Sequence, residues 1–325
     1  MIETPFTRLL GVTAPVQLAS MPGISTPELV SAVADAGALG MLPAPFMTPG
    51  ALEQVLEELG AKTAGTFGVN FLMPFLDRDC VAVAAQKSKL VEFFYGDPDP
   101  DIVEQAHAFG ALVSWQVGSL AEAVAAESAG CDLVVAQGTE GGGHVRGRTS
   151  LFPLLSEVLG ALRVPVIAAG GIATARDLAA VLVCGAAGAR VGTRFVAAAE
   201  SGAHPSYVKA LIDAHAADTC LTEAFSVMWP NAPHRVLRSS ITAAEALSED
   251  IIGEVQLSDQ TLPVQRLSVI CPSKETTGHI EAMALYAGES VTNVRSVEPA
   301  ASIVSDLVSG ATAALARASG GGNRN

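Results

Sequence analysis

Short apolar runs recur along the chain up to residue 195, and most follow a helical pattern that ends in glycine. The clear examples are VSAVADAGALGML (30–42), EQAHAFGALVSWQVG (104–118), AVAAESAGCDLVVAQG (123–138) and AAVLVCGAAGARVGTRF (179–195). Glycine takes the left-handed conformation that often ends a helix at little cost. Each apolar run is too short for a helix and nearly continuous, as expected of a strand buried on both faces.

Counting these runs predicts the fold class. Eight are present, at 16–20, 38–42, 65–71, 90–96, 111–117, 132–138, 165–171 and 189–195. Eight strands with helices between most of them predict an α/β fold, a (β/α)8 TIM barrel. An open doubly wound sheet would show fewer strands, and no G-x-G-x-x-G turn follows the first run. Half of the residues are hydrophobic and only 16% are charged, which suits a large aliphatic core.

The pattern changes after Phe195. One more helical stretch follows, and the chain becomes irregular from about Leu221 until an amphipathic run at 299–318. We expect the barrel to comprise residues 1–218 and 299–325. Residues 219–298 would form a smaller, mostly helical segment over one mouth of the barrel. Within it, Leu221, Met228 and Trp229 fit either an apolar pocket lining or the core of that segment.

Charge and cysteine usage limit the partners and the compartment. The 19 basic against 33 acidic residues argue against a nucleic-acid partner, which would need a basic face. The five scattered cysteines contain no C-x-x-C pair and fit free thiols in a reducing cytosol. No signal-peptide pattern and no run of about 18 apolar residues is present. We expect a cytoplasmic protein that binds neither nucleic acid nor a membrane, and the apolar composition alone suggests a homodimer.

Polar residues and glycines follow the predicted strands, where barrels of this type bind their ligands. These strand ends are Ser20-Met21-Pro22-Gly23, Asn70, Tyr95-Gly96, Gln116, Gln137-Gly138, Gly170-Gly171 and Gly192-Thr193. They include no Asp/Glu cluster that would hold Mg²⁺. Such a rim suits a neutral polar cofactor with a phosphate tail, and we expect no metal site. Tyr95 fits equally a wall of the site and a hydrogen-bond donor.

The last two strand ends predict a phosphate pocket. Gly170 and Gly171 end the seventh strand, and a helix starting at Ala173 and Thr174 would offer its first N–H groups to an anion. Gly192 and Thr193 repeat this arrangement after the eighth strand and add a hydroxyl. The gap between these two strands is the usual phosphate site of such barrels.

The stretch VVAQGTEGGGHVRGRTS (134–150) predicts the reactive group. Glycines 141–143 let the backbone approach a bulky ligand closely. His144 would then project over the ligand with a pKa suited to proton transfer near neutral pH. A lone histidine is more often a surface residue, but its place after an active-face strand end favours a functional role.

With these residues assembled, the sequence resembles the nitronate monooxygenase family, FMN-dependent (β/α)8 barrels related to FMN-dependent enoyl-acyl-carrier-protein reductases. The resemblance rests on PVQLASMPGISTPELVSAVADAGALGML, GVNF, VEFFYGDPDPDIV, AQGTEGGGH, PVIAAGGIA, GARVGTRFVAAAESGAHPSY and ALYAGESV. Three departures are visible, one of which is that the strand end at Gln116 has no assigned counterpart in the family. Gly141 replaces an alanine of the family's loop, and residues 92–96 read Glu-Phe-Phe-Tyr-Gly where one class has Ser-Phe-His-Phe-Gly.

The resemblance implies an FMN site and a reaction. The residues around FMN would be Met21, Gly23, Asn70, Gln137, Gly142, Gly143, Gly170, Gly171, Gly192 and Thr193. The two amides would hydrogen-bond the isoalloxazine ring or ribityl chain, and the last four residues would bind the phosphate. His144 would remove a proton from a nitroalkane or hold an anionic nitronate. Molecular oxygen would complete the conversion to a carbonyl compound and nitrite.

Two alternatives remain open from the sequence. An enoyl-thioester reductase would use NAD(P)H and FMN on the same scaffold; Gln137, where those reductases tend to carry an acid, favours the monooxygenase. A non-redox isomerase or lyase would use the phosphate pocket for a phosphorylated metabolite and need no flavin.

Overall fold

Parallel strands close into a barrel in the computed structural model, which describes residues 2–257 and 260–320. Within these ranges the barrel strands are β1 (Val16–Leu18), β2 (Gly40–Pro43), β3 (Phe67–Leu72), β4 (Leu90–Phe94), β5 (Leu112–Val117), β6 (Leu133–Gln137), β8 (Val166–Ala169) and β9 (Gly188–Val191), while β7 (Gly143–His144) lies outside the barrel. They pair in the order β1-β9-β8-β6-β5-β4-β3-β2. The ring closes at Leu39, whose backbone O accepts from Leu18 N and whose N donates to Val16 O, both at 2.9 Å. The predicted (β/α)8 barrel is confirmed.

Helices alternate with the strands of this ring along the chain. They are α1 (Pro5–Leu10), α2 (Pro27–Asp35), α3 (Pro49–Lys62), α4 (Arg78–Lys87), α5 (Pro100–Ala108), α6 (Leu120–Ser128), α7 (Leu151–Ala161), α8 (Ala175–Val183), α9 (Thr193–Val196), α10 (Pro205–Asp213) and α12 (Ala300–Gly320). Glycine follows several of them as predicted, with φ of +83° at Gly37 and +105° at Gly185. The closing helix α12 packs against α8 and α2 and buries Ile303 and Leu307 in the barrel's core.

The segment after the barrel strands contains two small antiparallel sheets. Its elements are β10 (Thr219–Thr222), β11 (His234–Leu237), α11 (Arg238–Ala246), β12 (Ile251–Leu257), β13 (Gln260–Gln265) and β14 (Thr276–Gly278), with 3-10 helices at Ala216–Asp218, Ile280–Ala282 and Glu289–Asn293. One sheet has the order β10-β11-β7 and the other β13-β12-β14. In the described part of 219–298 only α11 is an α-helix, so the expected mostly helical character is wrong. Strands this short bury few side chains, such as Ile252 and Val255 of β12, and leave a weak alternating pattern.

The domain division at 1–218, 219–298 and 299–325 stays a prediction. Strand β7 belongs to the loop after β6, yet it pairs with β11 of the later segment. Within residues 2–257 and 260–320, none of the helices combines the length and apolar character needed to cross a membrane.

Candidate active site

A cavity of about 910 Å³ lies at the carboxyl ends of the barrel strands. All eleven predicted site residues line it, namely Met21, Gly23, Asn70, Gln137, Gly142, Gly143, His144, Gly170, Gly171, Gly192 and Thr193. Gln116, Met228 and Trp229 line it as well, whereas Leu221 is 42% exposed at the surface. The fold thus brings the predicted residues together around one space, while their individual roles stay predictions.

Hydrogen bonds to two parts of the protein hold the glycine-rich loop in place. Gln137 at the end of β6 donates from Nε2 to the backbone O of His144 at 3.1 Å. In the β7–β11 pairing, His144 lies opposite His234 and Gly143 opposite Arg235. Arg235 also donates from Nε to the backbone O of Thr139 at 3.0 Å. The loop that carries His144 is therefore an ordered edge strand, although the sequence reads as flexible.

Gly142, the middle glycine of the run, lies too close to a neighbouring backbone segment to carry a side chain. A Cβ added at Gly142 would lie 2.5 Å from the N of Gly288 and 2.8 Å from the C of Ala287. Gly288 N in turn donates to Thr193 Oγ1 at 3.0 Å. At Gly143, by contrast, an added Cβ would meet nothing within 4 Å. The absence of a side chain at Gly142 therefore lets the loop pack directly against the backbone of residues 287–288. Gly143 has open space around the position of a Cβ atom.

We expect Gly142→Ala to lower the free energy of unfolding by about 1–3 kcal/mol, because an extra methyl group in a tightly packed site forces the backbone apart. Urea denaturation measures this loss. The matched control is Gly60→Ala in the exposed helix α3, where an added Cβ has nothing within 4 Å. That change is expected to stabilise the protein by about 0.4–1 kcal/mol. Equal midpoints for the two variants would contradict the packing argument.

His144 lines the cavity and lies among aromatic rings. Its imidazole stacks on Trp229 with centroids 4.0 Å apart and planes at 24°, and Tyr95 meets it edge-on at 5.9 Å. Its Nε2 is buried and has no hydrogen-bond partner among the described residues. Burial, with a smaller contribution from His234, lowers the pKa of His144 to about 3. The expectation of a pKa near neutrality is wrong, because a group desolvated by aromatic rings resists protonation. His144 is neutral at pH 7.

His234 supports His144 from behind and was not identified from the sequence. Its ring lies 5.3 Å from that of His144 and is fully buried. Nε2 accepts from the backbone N of Phe225 at 3.3 Å, so Nδ1 carries the proton and donates to Ala232 O at 2.9 Å. Burial lowers the pKa of His234 as well. Two neutral imidazoles therefore lie side by side, and of the two His144 lines the cavity.

A series of aromatic ring contacts lies next to His144. Tyr95 packs edge-on against Trp229 at 4.6 Å, and Trp229 packs edge-on against Phe75 at 5.1 Å. The rings of Phe75 and Phe46 are tilted by 43°, with centroids 4.4 Å apart. Tyr95 has a φ of +65°, a backbone conformation that is common for glycine and uncommon for a bulky residue. Burial raises the pKa of Tyr95 to about 12, so its hydroxyl stays protonated. Tyr95 contacts the rings of His144 and Trp229 but is not among the described residues that line the cavity, so both roles open from the sequence stay predictions.

The predicted phosphate end differs in one respect from expectation. Asp177 accepts from the backbone N of Ala173 at 3.0 Å and of Thr174 at 2.8 Å. The N–H groups expected to face an anion are therefore already capped by a carboxylate, and α8 begins with a capping box. The remaining donors at this end are those of Gly170, Gly171, Gly192 and Thr193, which line the cavity.

Two charged residues in the barrel interior were missed by the sequence interpretation. Arg190 on β9 forms a salt bridge with Glu92 on β4, and both side chains are buried. Arg190 also donates to the side-chain oxygen of Gln116. The available signal was a charged residue inside two otherwise apolar strands, LVEFF and GARV. Buried charges are rare unless paired, so each of them predicts a partner across the barrel.

A family model and several known proteins match most of this chain. The family model described as nitronate monooxygenase matches residues 3–79 and 76–310. The nitronate monooxygenase of Paraburkholderia phytofirmans is 30% identical over 92% of both chains. The (3aS,4S,5R,7aS)-5-hydroxy-7a-methyl-1-oxo-octahydro-1H-indene-4-carboxyl-CoA dehydrogenase of Rhodococcus jostii is 34% identical over 78% of this chain and 71% of that protein.

Solved structures extend the similarity over nearly the whole chain. FabK from Thermotoga maritima has a TM-score of 0.81 and 29% identity, covering 98% of this chain and 99% of that one. The nitroalkane oxidase from Streptomyces ansochromogenes has a TM-score of 0.75 and 28% identity with the same coverage. The resemblance drawn from the sequence motifs is confirmed: this chain belongs to the nitronate monooxygenase family of oxidoreductases.

Proposed function

We propose that this chain is an FMN-dependent oxidoreductase that converts alkyl nitronates and O₂ into a carbonyl compound and nitrite. The observation that carries the proposal is a neutral imidazole, His144, with a free buried nitrogen on a cavity edged by glycine strand ends. Family membership supports the reaction class. Membership of this enzyme family also implies a small-molecule substrate.

Unpaired polar atoms support a cofactor rich in hydrogen-bonding groups. Four buried atoms of cavity-lining residues have no partner among the described residues, namely Ser20 Oγ, Gln137 Oε1, His144 Nε2 and Arg190 Nε. Buried polar atoms are normally paired, so four unpaired atoms on lining residues fit a polar ligand, while Gln17 Oε1 and Arg266 Nε are unpaired outside the lining. FMN offers acceptors and donors along its ring and ribityl chain, and a phosphate for the glycine ends. The cavity's 910 Å³ lies near the upper limit of the ~300–1,000 Å³ typical of ligand sites, which suits a cofactor with a substrate beside it.

The residues that would hold FMN are those of the predicted set, Met21, Gly23, Asn70, Gln137, Gly142, Gly143, Gly170, Gly171, Gly192 and Thr193. When bound, FMN supplies the electron transfer between substrate and oxygen that no side chain provides. The protein's own part is to hold the substrate, exclude water and place hydrogen bonds.

His144 is suited to hold an anion that is already formed. With a pKa of about 3, its imidazole is a poor acceptor for the proton of a neutral nitroalkane near pH 7. A neutral imidazole whose Nε2 carries hydrogen donates one hydrogen bond, and a nitronate oxygen is a strong acceptor. Trp229 and Tyr95 pack against this imidazole and desolvate it. We therefore propose nitronates as substrates in preference to neutral nitroalkanes.

A second candidate is oxidation or reduction of an acyl thioester. The observation that favours it is the outer part of the cavity, where Phe46, Met228 and Leu262 offer apolar surface to a substrate larger than a small nitronate. The Rhodococcus jostii relative acts on a carboxyl-CoA, and FabK is an enoyl-acyl-carrier-protein reductase. The non-redox isomerase or lyase receives no support from these relatives.

One set of assays separates the candidates. We expect purified protein incubated with FMN to retain flavin absorbance after desalting. It should then consume O₂ and release nitrite with propyl-2-nitronate in the absence of NAD(P)H. Oxidation of NAD(P)H that depends on crotonyl-CoA, without nitrite release from nitronates, would favour the thioester candidate. Absence of flavin binding would remove both. The cytoplasmic location and the homodimer stay predictions, the latter measurable by light scattering.

A further inference from the structure

A cluster of buried polar side chains lies inside the barrel, next to the cavity. Glu92 is fully buried and Arg190 is 7% exposed. The Arg190 guanidinium spans the barrel, since it bonds to Glu92 through Nη2 and to Gln116 through Nη1. The other donors to the Glu92 carboxylate are Gln17 Nε2 at 3.1 Å, Asn70 Nδ2 at 2.9 Å and Ser114 Oγ at 3.0 Å. An ionised carboxylate only accepts hydrogen bonds, so this set of donors fits its charged form.

The two charges of this pair have different surroundings. Arg190 lines the cavity together with Asn70 and Gln116, whereas Glu92 is not among the described residues that line it. The cation is therefore nearer to a bound ligand than its counter-ion is. Arg190 Nε, moreover, is buried without a partner in the described ranges, so Glu92 and Gln116 do not use all the N–H groups of the guanidinium.

The guanidinium group of Arg190 lies away from the proposed phosphate end of the cavity. Strand β4, which carries Glu92, stands opposite β9 in the ring of eight strands. The head of Arg190 thus lies across the barrel from Gly192 and Thr193, which follow β9 itself. Its neighbours there are Asn70 and Gln116 rather than the glycine strand ends.

We propose that Arg190, with Glu92 as its buried counter-ion, faces the isoalloxazine ring and favours the reduced over the oxidised flavin. The inference rests on the proposed FMN cofactor. Two electrons and one proton convert the neutral oxidised ring into an anionic reduced ring. A nearby cation stabilises the anion, and a charge beside the ring is a recognised means of tuning its electronics. Glu92 weakens this effect without cancelling it, because it lies farther from the cavity.

Two variants are expected to shift the equilibrium in opposite directions. Glu92→Gln keeps the shape but leaves the cation uncompensated, so reduced FMN should bind about tenfold tighter relative to oxidised FMN. In the double variant Glu92→Gln/Arg190→Gln both charges are absent and amides remain, so this ratio should fall about tenfold. A tenfold change corresponds to about 30 mV for a two-electron couple. The double variant buries no lone charge and keeps the test available if Glu92→Gln folds poorly.

The measurement is the midpoint potential of the bound flavin, titrated with dithionite against a reference dye. Affinities for FMN and riboflavin are measured in parallel by flavin fluorescence. A double variant whose potential equals that of the wild type overturns the inference while leaving the FMN proposal intact. Loss of the preference for FMN over riboflavin in that variant would assign Arg190 to the phosphate and also overturn it. A wild-type protein that binds no FMN overturns the proposed function and this inference together.

Discussion

His144→Ala is expected to lower kcat/KM for an alkyl nitronate by about 10²- to 10³-fold while FMN stays bound. That is the usual effect of removing one preorganised hydrogen-bond donor from a site that excludes water. The Nε2 of His144 is such a group, since it is buried, unpaired among the described residues and part of the cavity wall. Initial rates of nitrite release, with flavin content read from the absorbance spectrum, measure the effect.

His144→Gln separates hydrogen bonding from proton transfer. Glutamine keeps a donor but cannot act as a general base, so we expect it to recover at least tenfold of the activity that alanine loses. The matched control is His279→Ala, an exposed histidine that pairs with Glu281 and is not a lining residue of the cavity. This control should leave kcat/KM unchanged. Equal losses for the alanine and glutamine variants would contradict the hydrogen-bond role.

The pH dependence follows from the lowered pKa of His144. With a pKa of about 3 the imidazole is neutral throughout the range from about pH 5 to 9, and it would become charged only in stronger acid. The rate with a preformed nitronate should therefore show no inflection due to His144 between pH 5 and 9. A base of ordinary pKa would instead lose activity as the pH falls through 6 to 7. An inflection there that disappears in His144→Gln would show that the histidine titrates in the working enzyme.

The barrel was predictable from local sequence because each of its strands is fully buried. A strand such as LVVAQ (133–137) is apolar on both faces, and a glycine follows the helix before it. The site was predictable for a related reason, since carboxyl ends of parallel strands meet at one rim. The pairing of β7 with β11 was not predictable from the sequence, because it involves only two residues of the loop and joins positions about 90 residues apart.

Side-chain chemistry was harder to predict than position. Nothing in the loop sequence shows that His144 stacks on Trp229, 85 positions later, or that His144 is buried deeply enough to lower its pKa. The capping of Ala173 and Thr174 by Asp177 could have been recognised, since a threonine followed three positions later by an acid favours a capping box. That local pattern outweighed the general rule that helix starts bind anions.

Arg190→Met is expected to lower the free energy of unfolding by about 3–5 kcal/mol, because it leaves the Glu92 carboxylate buried without its counter-ion. The three neutral donors that remain on Glu92 keep the loss near the lower end of that range. Urea denaturation measures it as a lower midpoint at unchanged slope.

Adding Glu92→Gln to Arg190→Met should recover most of the lost free energy of unfolding, because the double variant buries no lone charge. The two single variants and the double variant form a thermodynamic cycle whose coupling energy measures the pair directly. A matched control is Arg8→Met, which breaks an exposed ion pair with Glu3 and should change stability by about 1 kcal/mol or less. If Arg190→Met and Arg8→Met cost the same, the interior of the barrel must admit enough water to solvate Glu92. Water around Glu92 would also weaken the electric field of Arg190 at the flavin ring. The thermodynamic cycle and the flavin midpoint potential are therefore two independent tests of the same buried ion pair.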